Sequence, residues 1–165
     1  MDEKWTIEIK DLGLVRISDK LIEDLSSFRQ LEPQIPESGG VLLGKHLNSN
    51  GIILIDGFTP PQPNDSQGRC RFHRSKQHSD LAEKAWRDSD GHLNFVGLWH
   101  THPEPIPTPS GTDLKDWKNA LRRSCFEGNH LFFFIVGQTH IGCWIGSKSI
   151  MTCGIKLAGE YEYGE

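Results

Sequence analysis

Leu93-Asn94-Phe95-Val96-Gly97-Leu98-Trp99-His100-Thr101-His102-Pro103 is the stretch on which the fold turns. Leu93 to Trp99 is mostly apolar and reads as a strand that runs directly into His100. The prolines at 103, 105, 107 and 109 interrupt regular structure. Beyond them Leu114, Trp117 and Leu121 repeat at helical spacing, with Arg122 and Arg123 suiting the helix C-terminus. His130 to Val136 and Ile141 to Ile145 then read as a hairpin around Gly137-Gln138-Thr139. Toward the N-terminus, Ser79 to Asp88 fits a helix with Leu81, Ala82, Ala85 and Trp86 inward. Cys70 to His73 suits a short strand, and Thr59 to Gly68, with Pro60, Pro61, Pro63 and Asn64, excludes regular structure. Gly39 to His46 and Ile52 to Phe58 flank Asn48-Ser49-Asn50-Gly51, a tight-turn signal between two strands. Ser18 caps a helix carrying Leu21, Ile22, Leu25 and Phe28, and Trp5 to Lys10 alternates like a strand. Strands interspersed with three helices predict a mixed α/β domain, a sheet with helices packed on it.

At 165 residues the chain is the size of one domain, with a core expected over about residues 5–157 and a frayed polar tail from Tyr161. Five tryptophans and eight phenylalanines make it too apolar for disorder. A net charge of −4 and a pI near 6.0 argue against a nucleic-acid partner, which calls for a strongly basic face. The longest apolar run, Leu131 to Val136, is far short of the roughly twenty residues a membrane helix needs. The opening Met1-Asp2-Glu3-Lys4 carries no apolar signal segment, which predicts a cytoplasmic protein. Cys70, Cys125, Cys143 and Cys153 form no CxxC pair and are expected as reduced, small, buried or half-buried thiols without a role beyond packing. Nothing in the sequence decides the oligomeric state.

The chemistry gathers after Trp99. Residues two apart on a strand face the same side, so His100 and His102 present both imidazoles to one point. Neutral imidazole is a preferred zinc ligand, and Asp113, near the start of the third helix, is the natural third. Three protein ligands leave a fourth position open, as in catalytic rather than structural zinc sites. A hydrolytic site also needs a base that is not a ligand, and a group to hold the oxyanion. Glu37, just before the paired glycines of Ser38-Gly39-Gly40-Val41-Leu42-Leu43-Gly44, is the best candidate base, and Ser110 the candidate oxyanion donor. Singly these signals are bland, for Ser110 and Asp113 also suit a helix start and Glu37 a surface acid. Together they describe a site.

His100-x-His102-Pro103, the run from Pro103 to Pro109, and Ser110-x-x-Asp113 match the JAMM motif, and the chain resembles the JAB/MPN/Mov34 metalloproteases. Glu37 to Gly44 resembles the segment that carries that family's catalytic glutamate. The resemblance implies zinc on His100, His102 and Asp113, Glu37 as general base and proton shuttle, and Ser110 as stabiliser of the tetrahedral intermediate. It implies a curved mixed sheet flanked by helices, similar to cytidine deaminases. Gly97 to Pro105 looks most like compact bacterial members found beside E1- and E2-like proteins in anti-phage operons of the CBASS type. There the implied activity is deubiquitinase-like, cleaving an isopeptide or peptide bond after a modifier's C-terminus. The implied partner is the extended C-terminal tail of a ubiquitin-like protein or a CD-NTase, with its conjugates. Trimming of a sulfur-carrier or ubiquitin-like precursor, and a non-catalytic MPN scaffold, stand as alternatives.

Other residues read as structural. His73 and His78, near Arg71, Arg74 and Lys76, are expected to be solvated. Phe132, Phe133 and Phe134 are expected in the core, as is Trp99.

Overall fold

A computed structural model describes residues 4–47, 51–148 and 153–164. The chain runs β1 (Trp5–Ile9), β2 (Gly13–Ile17), α1 (Asp19–Ser26), β3 (Gly39–Leu47), β4 (Ile52–Phe58), β5 (Ser66–Gly68) and β6 (Arg71–His73). There follow α2 (Gln77–Asp88), β7 (Asn94–Thr101), α3 (Gly111–Arg123), β8 (His130–Val136), β9 (His140–Lys148) and β10 (Cys153–Glu162). Eight strands form one mixed sheet in the order β1-β2-β4-β3-β7-β8-β9-β10, while β5 and β6 make a separate two-stranded ribbon. The sheet curls until its outer strands approach, with the Trp5 and Tyr161 rings 5.6 Å apart. This is the α/β sheet-and-helix architecture that the sequence predicts.

β7 lies near the middle, antiparallel to β3 and parallel to β8. The β7–β8 crossover runs through α3, the usual way to join parallel neighbours. Side chains of β8 alternate between two cores. Phe132, Phe134 and Val136 join Trp5, Ile17, Leu21, Leu25 and Trp99 on one face. Leu131, Phe133 and Ile135 join Leu98, Trp117, Leu121 and Trp144 on the other. Burial on both faces is why this strand is an unbroken apolar run. Trp117 of α3 stacks on Phe133 with centroids 4.7 Å apart, which seats the helix over the sheet.

Several expectations need correction. β2 and β10 were not anticipated, and the tail is strand through Glu162 rather than frayed. Tyr163 is fixed too, its hydroxyl donating to the Gly137 carbonyl at 3.0 Å and its ring lying 4.6 Å beneath the Arg29 guanidinium. The last three residues of the Thr59–Gly68 segment form β5. On α2, Leu81 and Trp86 face solvent, Trp86 being 51% exposed. His78, expected in solvent, is buried instead. Its Nε2 meets Asp65 Oδ2 at 2.8 Å, and its Nδ1 meets Thr59 Oγ1 at 2.6 Å. Thr59 Oγ1 also accepts from the Val41 amide, so this chain of bonds turns the first turn of α2 inward. Cys143 is buried, whereas Cys70 and Cys125 are exposed because they occupy the β5–β6 turn and the segment after α3. The side chain of Cys153 and the Asn48-Ser49-Asn50 part of the expected turn lie outside the described residues.

Gly97 allows β7 to approach β8, since a Cβ there would stand 1.7 Å from the Phe132 carbonyl oxygen. Gly97→Ala is therefore expected to cost about 3 kcal/mol, measured as a drop in denaturant midpoint. An unchanged midpoint would mean that the two strands separate freely.

Candidate active site

Strand alternation sorts the end of β7 into two faces. Thr101 points one way, its hydroxyl donating to Gln30 Oε1 at 2.9 Å and accepting from the Ser38 amide at 3.0 Å. His100 and His102 point the other way, and their Nε2 atoms stand 3.1 Å apart. The His102 amide still donates to the Val136 carbonyl at 3.1 Å, so strand-like pairing carries past Thr101 and fixes the second histidine.

Asp113 reaches this pair from the first turn of α3. Ser110 is the N-cap, its Oγ accepting from the Asp113 amide at 3.1 Å while its own amide donates to Asp113 Oδ2 at 2.8 Å, a full capping box. The carboxylate so held faces both histidines, with Oδ1 3.2 Å from His100 Nε2 and Oδ2 3.1 Å from His102 Nε2. The helix-start reading of Ser110 and Asp113 thus holds, and the Asp113 side chain that makes the cap also faces the two histidines. Ser110 is exposed at the rim, and as its Oγ accepts from Asp113 its proton remains to donate elsewhere.

Glu37 enters from the segment before β3. The ribbon clamps its backbone, for the Glu37 amide donates to the Gly68 carbonyl at 2.7 Å and Gln67 Nε2 donates to the Glu37 carbonyl at 3.0 Å. The side chain is 7% exposed, with Oε1 3.7 Å from His102 Nε2. Ligand atoms of Glu37, His100 and His102 lie within 4.8 Å of one another, a group able to hold a metal ion. The donor set also fits zinc by its spacing. Ligand atoms around a tetrahedral zinc with bonds of 2.0–2.1 Å stand about 3.3 Å apart, close to the 3.1–3.2 Å between the histidine nitrogens and the Asp113 oxygens.

The electrostatics match this grouping. Burial lowers the pKa of His100, against the pull of Asp113. Burial also opposes the charge on His102, but hydrogen bonds to Asp113 and Glu104 outweigh it and raise its pKa. Asp113 resists the same desolvation because both histidines bond to it, and its carboxyl sits far below the usual range. Burial pushes Glu37 up to about 7, with Asp113 adding to the shift and His102 opposing it. A carboxylate poised there can take up and give back a proton near neutrality.

Sequence reasoning missed Glu104, whose Oε1 lies 3.0 Å from His102 Nδ1. It also missed Gln67. The only cue to Glu104 was an acid two residues past a histidine, too common to single it out.

Residues 20–151 match the family described as prokaryotic homologs of the JAB domain. A protein of Vibrio cholerae serotype O1 named CD-NTase/cGAS isopeptidase is 34% identical over 136 residues, 82% of each chain. One of the same name from Escherichia coli strain TW11681 is 30% identical over 135 residues, 81% of each chain. A third, from Pseudomonas aeruginosa, is 34% identical over 113 residues, 67% of this chain and 70% of its own.

The raised Glu37 value has a stability consequence in metal-free protein. A carboxyl at 4.5 when unfolded and about 7 when folded loses stability as pH rises through that window. Glu37→Gln, which keeps the shape and cannot ionise, is expected to melt higher than wild type at pH 8, with the gain shrinking as pH falls toward 4.5. Thermal scans in chelator at several pH values check this, and a pH-independent difference would contradict it.

Proposed function

The chain belongs to the family of prokaryotic JAB-domain homologs, and from that premise we propose that it is a zinc-dependent isopeptidase. It hydrolyses the bond between a modifier's C-terminus and an amine on the target. The carrying observation is the convergence of His100, His102 and Asp113 with a separately held carboxylate, Glu37, beside them. Asp113 touches both histidines at 3.1–3.2 Å while Glu37 stands at 3.7 Å from one, which supports Asp113 as third ligand and Glu37 as base.

The relatives' names favour a conjugated CD-NTase as the modifier, in a CBASS-type anti-phage system working in the cytoplasm. Among the described residues no helix is long and apolar enough to cross a membrane. The modifier's extended C-terminal tail enters between the ribbon and α3. Among the described residues β6 pairs only with β5, so its outer edge offers main-chain groups to an added strand. Arg74, just past β6, donates twice to Asp116 of α3 at 2.8 and 3.0 Å, tying the end of the ribbon to the helix.

Zinc, when bound by His100, His102 and Asp113, supplies Lewis acidity toward the scissile carbonyl and toward water. Glu37 takes the proton from the attacking water and hands it to the departing amine, a lysine Nζ if the bond is an isopeptide. Ser110 turns its hydroxyl toward the developing oxyanion. The buried wall of Trp117 and His100 keeps solvent from that side of the site.

The test is cleavage of a CD-NTase fused through its C-terminus to a reporter, followed by product mass, with zinc content measured on each variant. Wild type is expected to cut directly after the last CD-NTase residue. Glu37→Ala is expected to keep its zinc and lose at least about a hundredfold in turnover, and His100→Ala to lose both. Near-wild-type cleavage by Glu37→Ala would sink the assignment of the base. Wild type without zinc would favour a scaffold.

A further inference from the structure

We infer that Glu104 is a positioning residue, whose carboxylate grips His102 at Nδ1 and thereby presents Nε2 to the metal. The inference rests on the zinc-site reading above and deepens it.

Glu104 Oε1 stands 3.0 Å from His102 Nδ1. A carboxylate can only accept there, so Nδ1 carries the proton, and in the neutral ring Nε2 carries the lone pair. That Nε2 is the atom facing His100 Nε2 at 3.1 Å and Asp113 Oδ2 at 3.1 Å. A carboxylate behind a metal-binding histidine fixes both its tautomer and its ring plane. His100 is held differently, by burial beside Trp117.

The grip is built in. The same Oε1 accepts from the Thr108 amide at 2.8 Å, closing the loop from residue 104 to 108 around the carboxylate. The loop is pinned to the β8–β9 turn, for the Gln138 amide donates to the Glu104 carbonyl at 2.8 Å. The Thr139 amide likewise donates to the Pro105 carbonyl at 3.0 Å. A Cβ on Gly137 would lie 2.6 Å from both Pro105 O and Pro107 Cδ, so the loop lies flush on the turn. Glu104 therefore stands preset behind His102.

Zinc affinity by chelator competition tests this on the full chain, with Glu104→Ala and Glu104→Gln beside wild type. Glu104→Ala is expected to bind zinc 10- to 100-fold more weakly. Its metal-free melting point should stay within about 3 °C of wild type. Glu104→Gln keeps an acceptor oxygen for both Nδ1–H and the Thr108 amide, and is expected to recover most of the affinity. In the cobalt-substituted wild type, an exchangeable Nδ1 proton from His102 should appear in the paramagnetically shifted NMR spectrum and vanish in Glu104→Ala. Affinity of Glu104→Ala within threefold of wild type overturns the inference, as does a loss of affinity that merely tracks a fallen metal-free melting point. Wild type that binds no zinc overturns instead the reading on which the inference stands, and is seen before any variant is made.

Discussion

One oxygen of Asp113 accepts the Ser110 amide at 2.8 Å, and the same carboxylate spans both histidine Nε2 atoms at 3.1 and 3.2 Å, so α3 can begin only where the imidazoles already point. The first turn of a helix leaves amides without partners, and here the group that satisfies one also completes the cluster. The dependence runs outward from there. α3 is the crossover between two parallel strands, so its start is set by the end of β7 and its packing by Trp117 on Phe133. The lower edge of the site is therefore the same object as the core beneath it.

The other wall is made of short pieces. Glu37 precedes a regular strand, and what holds it is the β5–β6 ribbon, through one backbone bond and one glutamine amide. The ribbon's connection to the sheet is secured in turn by Asp65, His78 and Thr59, buried in a line beneath it. A polar chain under a proline-rich loop gives up little apolar burial, yet its directional bonds set the loop's position in a way hydrophobic contact does not.

Much of this was readable in advance, for identifiable reasons. The two-residue spacing of His100 and His102 sets which way they face, whatever surrounds them, because the pleat does so. Ser110 and Asp113 sit at capping-box spacing, a local rule. The helices α1 and α3 announce themselves by apolar periodicity. β10 did not, since Gly154, Lys156, Gly159, Glu160 and Glu162 look like a polar tail and become strand only by pairing with β9 across a bulge. The burial of His78 is hidden from the sequence for a related cause. The basic residues Arg71, Arg74 and Lys76 precede it in sequence, while its partners Asp65 and Thr59 lie 13 and 19 residues away. Glu104 is local to His102, but only the seating of its loop on the β8–β9 turn gives the pairing meaning. Strand alternation and cap spacing carried over, whereas the inward face of α2 and the pairings that need distant partners did not.

The approach of β1 to β10 has a kinetic side. Trp5 lies 5.6 Å from Tyr161, and a Cβ on Gly159 would come within 3.0 Å of Ile7, so the first core closes only when the two outermost strands meet. Contacts between residues some 150 apart are slow to form, because the entropy of closing so long a loop must be paid before the contact rewards it. Asp113 emerges from synthesis 40 residues ahead of Cys153, where the closing strand starts. Every side chain proposed to hold zinc has thus left the ribosome while one core still stands open.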